Sequence, residues 1–376
     1  MPQALLSPAA TVLNHNSLLR DHVFTTGLAA RLAYPDEIVS PADPSDPGML
    51  KRIDAHAIGR RIAHALAASP GLPTDLQARL EDLLSPILET ASAGALVRLA
   101  QLRAKRKLPA KLLSGTGSRF ESRTLGLEIM RRGGQVVRFG HAGAYPLMNS
   151  PSFIVQQELA VSTSLTLCTS DAAKMPNVRD VPIEGHDGDP GLVPTHWRPR
   201  RSEGGRRRVM YVATAYFGFN QLFPPAPPEP LYAAWQTRLA AAFRSMDIDL
   251  LIKPHPEGVR TSDIRPFGVD GTVLTDRFEA VSDLADVFVF DHPATTSLAV
   301  AMSTEQPIVL IDLGNMDFNP DAEELVHRRC RTIRAGQDAA NLPTIDRDEL
   351  ADAIFGTAPV DPGPFRRLYL GRHGPA

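Results

Sequence analysis

Short apolar runs alternate with amphipathic helical segments over the second half of this 376-residue chain. Such alternation is typical of a doubly wound sheet, because parallel strands need a crossover connection that is usually a helix. The predicted strands lie at 209–213, 250–253, 272–274, 287–290 and 307–311, and the predicted helices lie near 229–246, 277–285 and 295–304. Residues 209–376 are therefore predicted to form one α/β domain.

The same alternation occurs earlier in the chain. A short strand at 112–114, a helix at 119–132 and a strand at 135–139 form a predicted βαβ unit. We therefore expect an α/β protein with two Rossmann-like doubly wound domains that face each other across a cleft, together with a helical N-terminal region. The predicted parts are a helical region at 1–107 that packs on the first domain, the first domain at 108–200, a basic linker at 201–208 and the second domain at 209–376.

Composition excludes several classes of protein. Lys plus Arg (40) nearly balances Asp plus Glu (42), so no strong positive field favours nucleic acid, and no nucleic-acid partner is expected. Cys168 and Cys330 lack the spacing of a metal site and are expected to be reduced thiols in the core. No secretory signal or membrane-spanning run is evident, so a cytoplasmic protein is predicted. Scattered histidines predict neither a metal nor another cofactor.

A histidine and a lysine follow one of the predicted buried strands. The pentapeptide Lys253-Pro254-His255-Pro256-Glu257 comes directly after the apolar run at 250–252. Its two prolines end the strand and fix the backbone on either side of His255. Because ligands of open α/β sheets bind at the carboxyl ends of the strands, this turn is predicted to hold an anion.

A second turn rich in hydroxyl groups follows the predicted strand at 287–290. Thr295, Thr296 and Ser297 open the next helix, where they either cap it or offer hydroxyl and N–H groups to a phosphate. Both turns belong to one βα series, so they are expected at the same edge of the sheet. No Gly-x-x-x-x-Gly-Lys-Ser/Thr and no Gly-x-Gly-x-x-Gly pattern follows the first strand, which argues against kinases and dehydrogenases.

The two turns, followed by the run at 306–312, resemble the C-terminal domain of GT-B-fold glycosyltransferases. The resemblance is greatest to enzymes of bacterial surface-polysaccharide synthesis: sialyltransferases, capsule Kdo transferases and glycerophosphotransferases with a His-Pro motif. It implies that His255 and residues 295–297 hold the nucleotide phosphate. It also implies a nucleotide-binding second domain, an acceptor-binding first domain and metal-independent transfer from a nucleotide sugar, with a CMP-activated acidic sugar as the favoured donor.

Glycosyl transfer needs a group that stabilises the charge building on the departing phosphate, and Lys253 and His255 are predicted to take this catalytic role without a metal. It usually also needs a base that accepts the proton of the acceptor hydroxyl. His141, in the loop at 140–145, is the leading candidate, since imidazole titrates near working pH. The remaining predicted roles are as follows: Glu158 and Asp171 as weaker catalytic candidates; Lys253, Pro256, Glu257 and Gly218 at the donor, with Asp276 near its ribose or base; and Arg119 and Tyr145 at the acceptor.

Several alternatives stay open at this point. The acceptor is a saccharide, a lipid-linked molecule or a protein. The same His-Pro site would also suit a polyol-phosphate transferase that uses a CDP-alcohol. The loop at 140–145 resembles the His-Gly-Gly-type loop of the same enzymes, but Ala142 stands where they have the glycine after the histidine, which leaves a non-catalytic scaffold open. The basic run at 103–107 is either a solvated helix end or a contact with a phosphate or a membrane surface. Peripheral membrane association is thus one expectation for this chain, and the arginines near 198–208 are either a connector or the rim of an anion site.

Overall fold

The computed structural model describes residues 10–40, 42–68, 71–115, 120–140, 147, 159–168, 181–200, 205–214, 228–255, 271–293, 295–314 and 316–375. The chain forms two compact units. The first is drawn from Met1–His15, Thr25–Arg138 and Glu158–Thr163, and the second from Asn16–Phe24, Phe139–Gln157 and Ser164–Ala376.

The first six-stranded sheet has the strand order β2-β1-β3-β4-β5-β6. Its strands are β1 (Ala10–Leu13), β2 (Ala30–Leu32), β3 (Lys111–Ser114), β4 (Gln135–Phe139), β5 (Ser164–Leu167) and β6 (Ile183–Gly185). The helices along this part of the chain are α1 (Ser17–Thr26), α2 (Pro35–Ile38), α3 (Pro47–Arg52), α4 (Ala55–Ala67), α5 (Thr74–Ala104) and α6 (Phe120–Arg131). The predicted strand–helix–strand unit of β3, α6 and β4 is confirmed, and β3 and β4 are parallel.

The sequence predicted a helical N-terminal region, but this region also contributes two strands. Strand β1 pairs in parallel with both β2 and β3, so residues 10–32 are built into the first sheet. Strand β1 is buried at all four positions and therefore shows no alternation of apolar and polar residues. Strand β2 is only three residues long and largely exposed. Neither strand carries the signal by which a strand is usually recognised in a sequence.

Helices α4 and α5 form an antiparallel hairpin. Four small residues, each four positions apart, bury one face of α4: Ala55, Gly59, Ala63 and Ala67. They let the helices approach so closely that a Cβ on Gly59 would lie 2.5 Å from the Glu89 Cα. Helix α5 continues through Pro86 as one helix of 31 residues.

Helix α5 is the one described helix that is long and apolar enough to cross a membrane by length and composition. The expectation that no segment would have this character is therefore wrong for α5. Glu89 and Arg98 interrupt its apolar stretch, so the sequence shows no uninterrupted run of apolar residues here. Only 11% of the stretch is buried inside the protein.

The second six-stranded sheet has the order β12-β11-β10-β7-β8-β9, with all neighbouring strands parallel. Its strands are β7 (Arg207–Val212), β8 (Ile248–Lys253), β9 (Thr272–Val273), β10 (Val287–Phe290), β11 (Ile308–Asp312) and β12 (Cys330–Arg334), and a separate antiparallel pair is formed by β13 (Gly336–Gln337) and β14 (Pro343–Thr344). The helices are α7 (Glu229–Arg244), α8 (Phe278–Val281), α9 (Thr296–Ser303), α10 (Pro320–Arg329), α11 (Arg347–Gly356) and α12 (Gly363–Tyr369).

Every strand predicted from the sequence in this half of the chain is present. The core between the sheet and helices α7 and α11 contains Trp235, Leu239 and Phe243 from α7 and Leu350 and Ile354 from α11, all of them buried. Burial of large apolar side chains on both faces accounts for the continuous apolar character of β10, which is buried at all four positions. The α/β architecture with two parallel sheets is therefore as predicted.

Candidate functional site

Three strands of the second sheet end level with one another. Lys253, the last residue of β8, pairs with Val212 at the end of β7, and Val212 pairs with Phe290 at the end of β10. The residues that follow these strands therefore emerge side by side at the carboxyl edge of the sheet. This register brings His255 to the same edge as His292, although 36 residues separate them in the chain.

A buried carboxylate anchors the turn after β10. Asp291 is fully buried and accepts hydrogen bonds from Tyr211 Oη (2.5 Å), Trp235 Nε1 (2.8 Å) and Tyr232 Oη (3.1 Å). Burial raises the pKa of Asp291 to about 6, while the three donors act to lower it. The hydroxyl of Tyr232 also accepts a bond from the backbone N–H of Thr214 (3.0 Å). This network fixes the ends of β7 and β10 relative to α7.

The two histidines of this edge lie close enough to influence each other electrostatically. His292 is buried, and its pKa is lowered to about 4, first by burial and then by the charge of His255. At neutral pH the imidazole of His292 is therefore uncharged, whereas His255 is only half-buried. His292 was not among the site residues predicted from the sequence. The signal was present, because the same dipeptide, His-Pro, follows both β8 and β10.

The lysine of the first turn is more buried than expected for a residue that meets a ligand. Lys253 is 4% exposed, and its Nζ donates to the carbonyl of Pro254 (2.9 Å). Burial lowers the pKa of Lys253, and the negative charges of Glu279 and Asp276 oppose this effect. The ammonium group therefore lies in the field of two carboxylates at this edge, one of which, Asp276, had been predicted to contact the donor.

Of the three hydroxyl residues that were predicted to cap α9 or to bind a phosphate, Thr295 is the one that caps the helix. Its Oγ1 accepts a hydrogen bond from the N–H of Leu298 (3.1 Å), which makes it the N-cap of α9. Thr296 and Ser297 occupy the first turn of this helix and are half-buried. In an α-helix the N–H groups of the first turn have no intrahelical partner and carry the positive end of the helix dipole.

The arginines around the linker are paired at the opposite, amino edge of the second sheet. Arg198 donates to Glu305 (2.8 Å), Arg200 contacts Asp283 (3.0 Å), and Arg208 contacts Asp286. These acids precede β10 and β11 along the chain. These contacts agree with the prediction that the arginines belong to a connector and do not line an anion site.

Several predicted site residues lie outside the residues that the structure describes. They are Arg119, His141, Tyr145, Glu158, Asp171, Gly218, Pro256 and Glu257. Within the described part of the chain, no group of three His, Cys, Asp or Glu side chains is arranged to hold a metal ion. Both cysteines are free and buried, as expected, and burial raises the pKa of each thiol to about 12.

Neither a family model nor a curated protein matches the chain. Among solved structures it resembles Os79 from O. sativa, solved in complex with UDP and deoxynivalenol-3-glucoside, at 13% identity over 95% of this chain and 93% of that one, with a TM-score of 0.45. It also resembles the glycosyltransferase SnogD from Streptomyces nogalater (14% identity, 92% and 90% covered, TM-score 0.45) and MurG from Acinetobacter baumannii (10% identity, 97% and 96% covered, TM-score 0.41). At TM-scores this low, these likenesses carry no inference about what this chain does.

Proposed function

We propose that this protein is a metal-independent glycosyltransferase that holds a nucleotide-sugar donor by its phosphates at the carboxyl edge of the second sheet. The observation that carries the proposal is that His255 and His292 lie together at this edge, where α9 begins a few residues after His292. The resemblance of the same residues to the phosphate-binding motif of GT-B enzymes supports it.

The site offers positive electrostatic character without a metal ion. The N–H groups of Thr296 and Ser297 and the positive end of the α9 dipole would stabilise the charge that builds on the departing phosphate. A protonated His255 would add a charge-assisted hydrogen bond. His292, neutral at pH 7, would donate or accept a hydrogen bond without placing a second positive charge beside His255. Asp291 would act by positioning these groups.

The catalytic base is assigned from the sequence alone. His141 is proposed to accept the proton of the acceptor hydroxyl, and Glu158 is the weaker candidate for the same role. Arg119 and Tyr145 are proposed to contact the acceptor. Substitution of His141 by alanine should lower turnover far more than donor affinity. An equal loss of both would assign His141 to donor binding instead.

We propose a CMP-activated acidic sugar as donor and a role in cell-surface polysaccharide or glycoconjugate synthesis in the cytoplasm. The support is the His-Pro motif of the resembled families. A thermal-shift panel of CMP, CDP, UDP and GDP, each with its sugars, tests this directly, because a ligand at about 100 times its Kd stabilises the fold by about 2.7 kcal/mol. A shift with CMP and CMP-sugars supports the proposal.

The panel also separates the alternatives. Stabilisation and turnover with CDP-glycerol, but not with CMP-sugars, would show that the protein transfers a polyol phosphate and not a sugar. A shift with UDP alone would support a glycosyltransferase but contradict a CMP-activated acidic sugar as its donor. No shift with any nucleotide would contradict the proposed site as a whole.

A further inference from the structure

A cavity of about 880 Å³ opens at the amino edge of the second sheet, the edge opposite the proposed donor site. Residues 195–200 contribute most of its lining, and α12 contributes Arg366 and Arg367. Asp283 and Glu305, which precede strands β10 and β11, complete the lining. None of the residues proposed for the donor or the acceptor belongs to it. A volume of this size is typical of pockets that hold small-molecule ligands.

Backbone hydrogen bonds fix the segment that lines the cavity. The N–H of Arg200 donates to the carbonyl of Asp283 (2.7 Å), and the N–H of Glu305 donates to the carbonyl of Trp197 (2.9 Å). Both bonds join the segment to residues just in front of β10 and β11, two buried strands of the sheet. The lining is therefore ordered before a ligand binds, which lowers the entropic cost of binding.

Trp197 supplies an aromatic surface to the cavity. This residue is half-buried, and the guanidinium of Arg366 lies over its ring, 4.9 Å from the centroid. Arg366 is itself held in place, because its Nε donates to the carbonyl of Ser303 (2.8 Å). Among the residues that the structure describes, the indole N–H of Trp197 makes no hydrogen bond. An indole offers an apolar ring with a donor at its edge, and this combination suits a sugar ring that carries hydroxyls.

The ion pairs of the cavity place hydrogen-bond donors beside acceptors. Arg198 Nε donates to Glu305 (2.8 Å), and Arg200 Nη2 lies 3.0 Å from Asp283 Oδ2. The side chains of Arg198, Arg200 and Glu305 are 78%, 63% and 34% exposed, so a ligand can reach all three. A guanidinium only donates hydrogen bonds and a carboxylate only accepts them, whereas a hydroxyl does both. A ligand rich in hydroxyls therefore matches these pairs.

A nucleotide fits the cavity less well. Its base would stack on Trp197 in the same way, but its phosphates call for guanidinium groups that are not already neutralised by acids. Arg198 and Arg200 are paired with acids, and Arg366 lies 3.9 Å from Glu305. Within the described part of the chain, Arg367 is the one lining arginine that forms no ion pair. This balance favours a polar ligand over a phosphate ester.

We propose that this cavity is a saccharide-binding site. A sugar ring would pack on the exposed part of Trp197, and its hydroxyls would donate to Glu305 and accept from Arg198 and Arg200. The site is separate from the proposed donor site and does not rest on the proposed transferase activity. In a glycosyltransferase it would hold a glycan to the enzyme away from the donor phosphates.

A glycan array probed with the full chain tests this proposal, followed by calorimetric titration of the oligosaccharide that binds best. The array should include neutral and acidic oligosaccharides. Trp197→Ala and Glu305→Gln should each lower the affinity for that oligosaccharide at least about tenfold, while Trp197→Phe keeps an aromatic ring and should retain most of it. The chain has two tryptophans, and Trp235 is fully buried, so binding should change the fluorescence of the wild type but not that of Trp197→Phe.

The matched control is Glu324→Gln, because Glu324 also lies in an exposed ion pair with an arginine, Arg328. It should bind the oligosaccharide like the wild type, and all variants should keep the wild-type melting temperature. His255→Ala should also keep this binding, so loss of the donor site and loss of the saccharide site can be told apart. Binding of no glycan on the array, or equal affinity of wild type and Trp197→Ala, would overturn the proposal. Displacement of the glycan from His255→Ala protein by CMP or UDP would overturn it in favour of a nucleotide site.

Discussion

At the scale of single residues, the chemistry of the candidate site depends on a few buried polar groups. Asp291, His292 and Lys253 are each at least about nine-tenths buried, and each has a pKa displaced by that burial. The sequence identified Lys253 and His255 correctly as neighbours of a strand end. It did not identify Tyr211, Tyr232 and Trp235 as donors to Asp291, because they come from two other elements that only the folded sheet brings together.

Replacing Asp291 by alanine should be strongly destabilising. The change leaves the buried donors of Tyr211, Tyr232 and Trp235 without their acceptor, and each such group costs about 1–3 kcal/mol. We expect a total loss of about 3–5 kcal/mol in denaturant unfolding. Asp352→Ala, on the exposed side of α11, is the control and should change stability by less than about 0.5 kcal/mol. A small effect of Asp291→Ala would show that the network does not support the turn.

His292 should contribute a pH dependence of known sign. Its pKa falls from 6.5 in the unfolded chain to about 4 in the folded one, so the unfolded state binds more protons between these values. The contribution of His292 therefore rises with pH through this window and is lost as pH falls. Asp291, with its raised pKa, acts in the opposite direction between about pH 4 and 6, so the wild-type profile alone would hide both effects.

The difference between wild-type protein and His292→Asn isolates the histidine. Relative to the variant, the wild type should gain up to about 3 kcal/mol between pH 4 and 6.5, following about 1.4 kcal/mol per unit of pKa shift. Urea unfolding at closely spaced pH values measures this difference. A difference that is constant with pH would mean that the histidine titrates alike in both states.

At the scale of elements, the second sheet was largely predictable and the first was not. The apolar runs of β7, β8, β10 and β11 are bounded by turn residues and separated by helices of ordinary length. Strands β1 and β2 are short, and one is fully buried while the other is largely exposed, so neither shows a strand period. The hairpin was predicted as helical, but its single helix through Pro86 and its exposed face follow from packing that no local pattern encodes.

Two glycines of the hairpin should respond oppositely to alanine. Gly59→Ala places a Cβ 2.5 Å from the backbone of Glu89, so the helices must separate, at a cost of about 1–3 kcal/mol. Gly94→Ala meets nothing within 4 Å and gains about 0.5–1 kcal/mol of helix propensity. Thermal unfolding of both variants checks the contrast. Stabilisation by Gly59→Ala would contradict the close approach of the two helices.

The N-terminus of α9 should show two separable roles. Thr295→Ala removes the side-chain cap and should cost about 1 kcal/mol of stability. Under the proposed function, it should also weaken nucleotide binding, because the first turn frays. Thr295→Ser keeps the capping oxygen and should restore both properties. Restoration of stability without restoration of binding would assign the threonine methyl a direct contact with the ligand.

At the scale of the whole molecule, the order of strands in the second sheet determines which residues lie together in the candidate site. The sequence predicts two turns at one edge, but only the order β10-β7-β8 puts a single strand between them and levels their ends. The residues proposed for catalysis and for the acceptor, His141 among them, lie outside the described part of the chain and stay predictions from the sequence. The central claim is therefore the phosphate site itself.

Calorimetric titration of nucleotide into wild-type protein and His255→Ala tests this claim most directly, using whichever nucleotide stabilises the wild type most in the thermal-shift panel. We predict that His255→Ala weakens binding at least about tenfold with a nearly unchanged melting temperature, as expected for loss of a charge-assisted hydrogen bond of about 1.5–3 kcal/mol. His327→Ala, at an exposed histidine of α10, should bind like the wild type. Equal affinity of wild type and His255→Ala, or no nucleotide binding by either, would contradict the account.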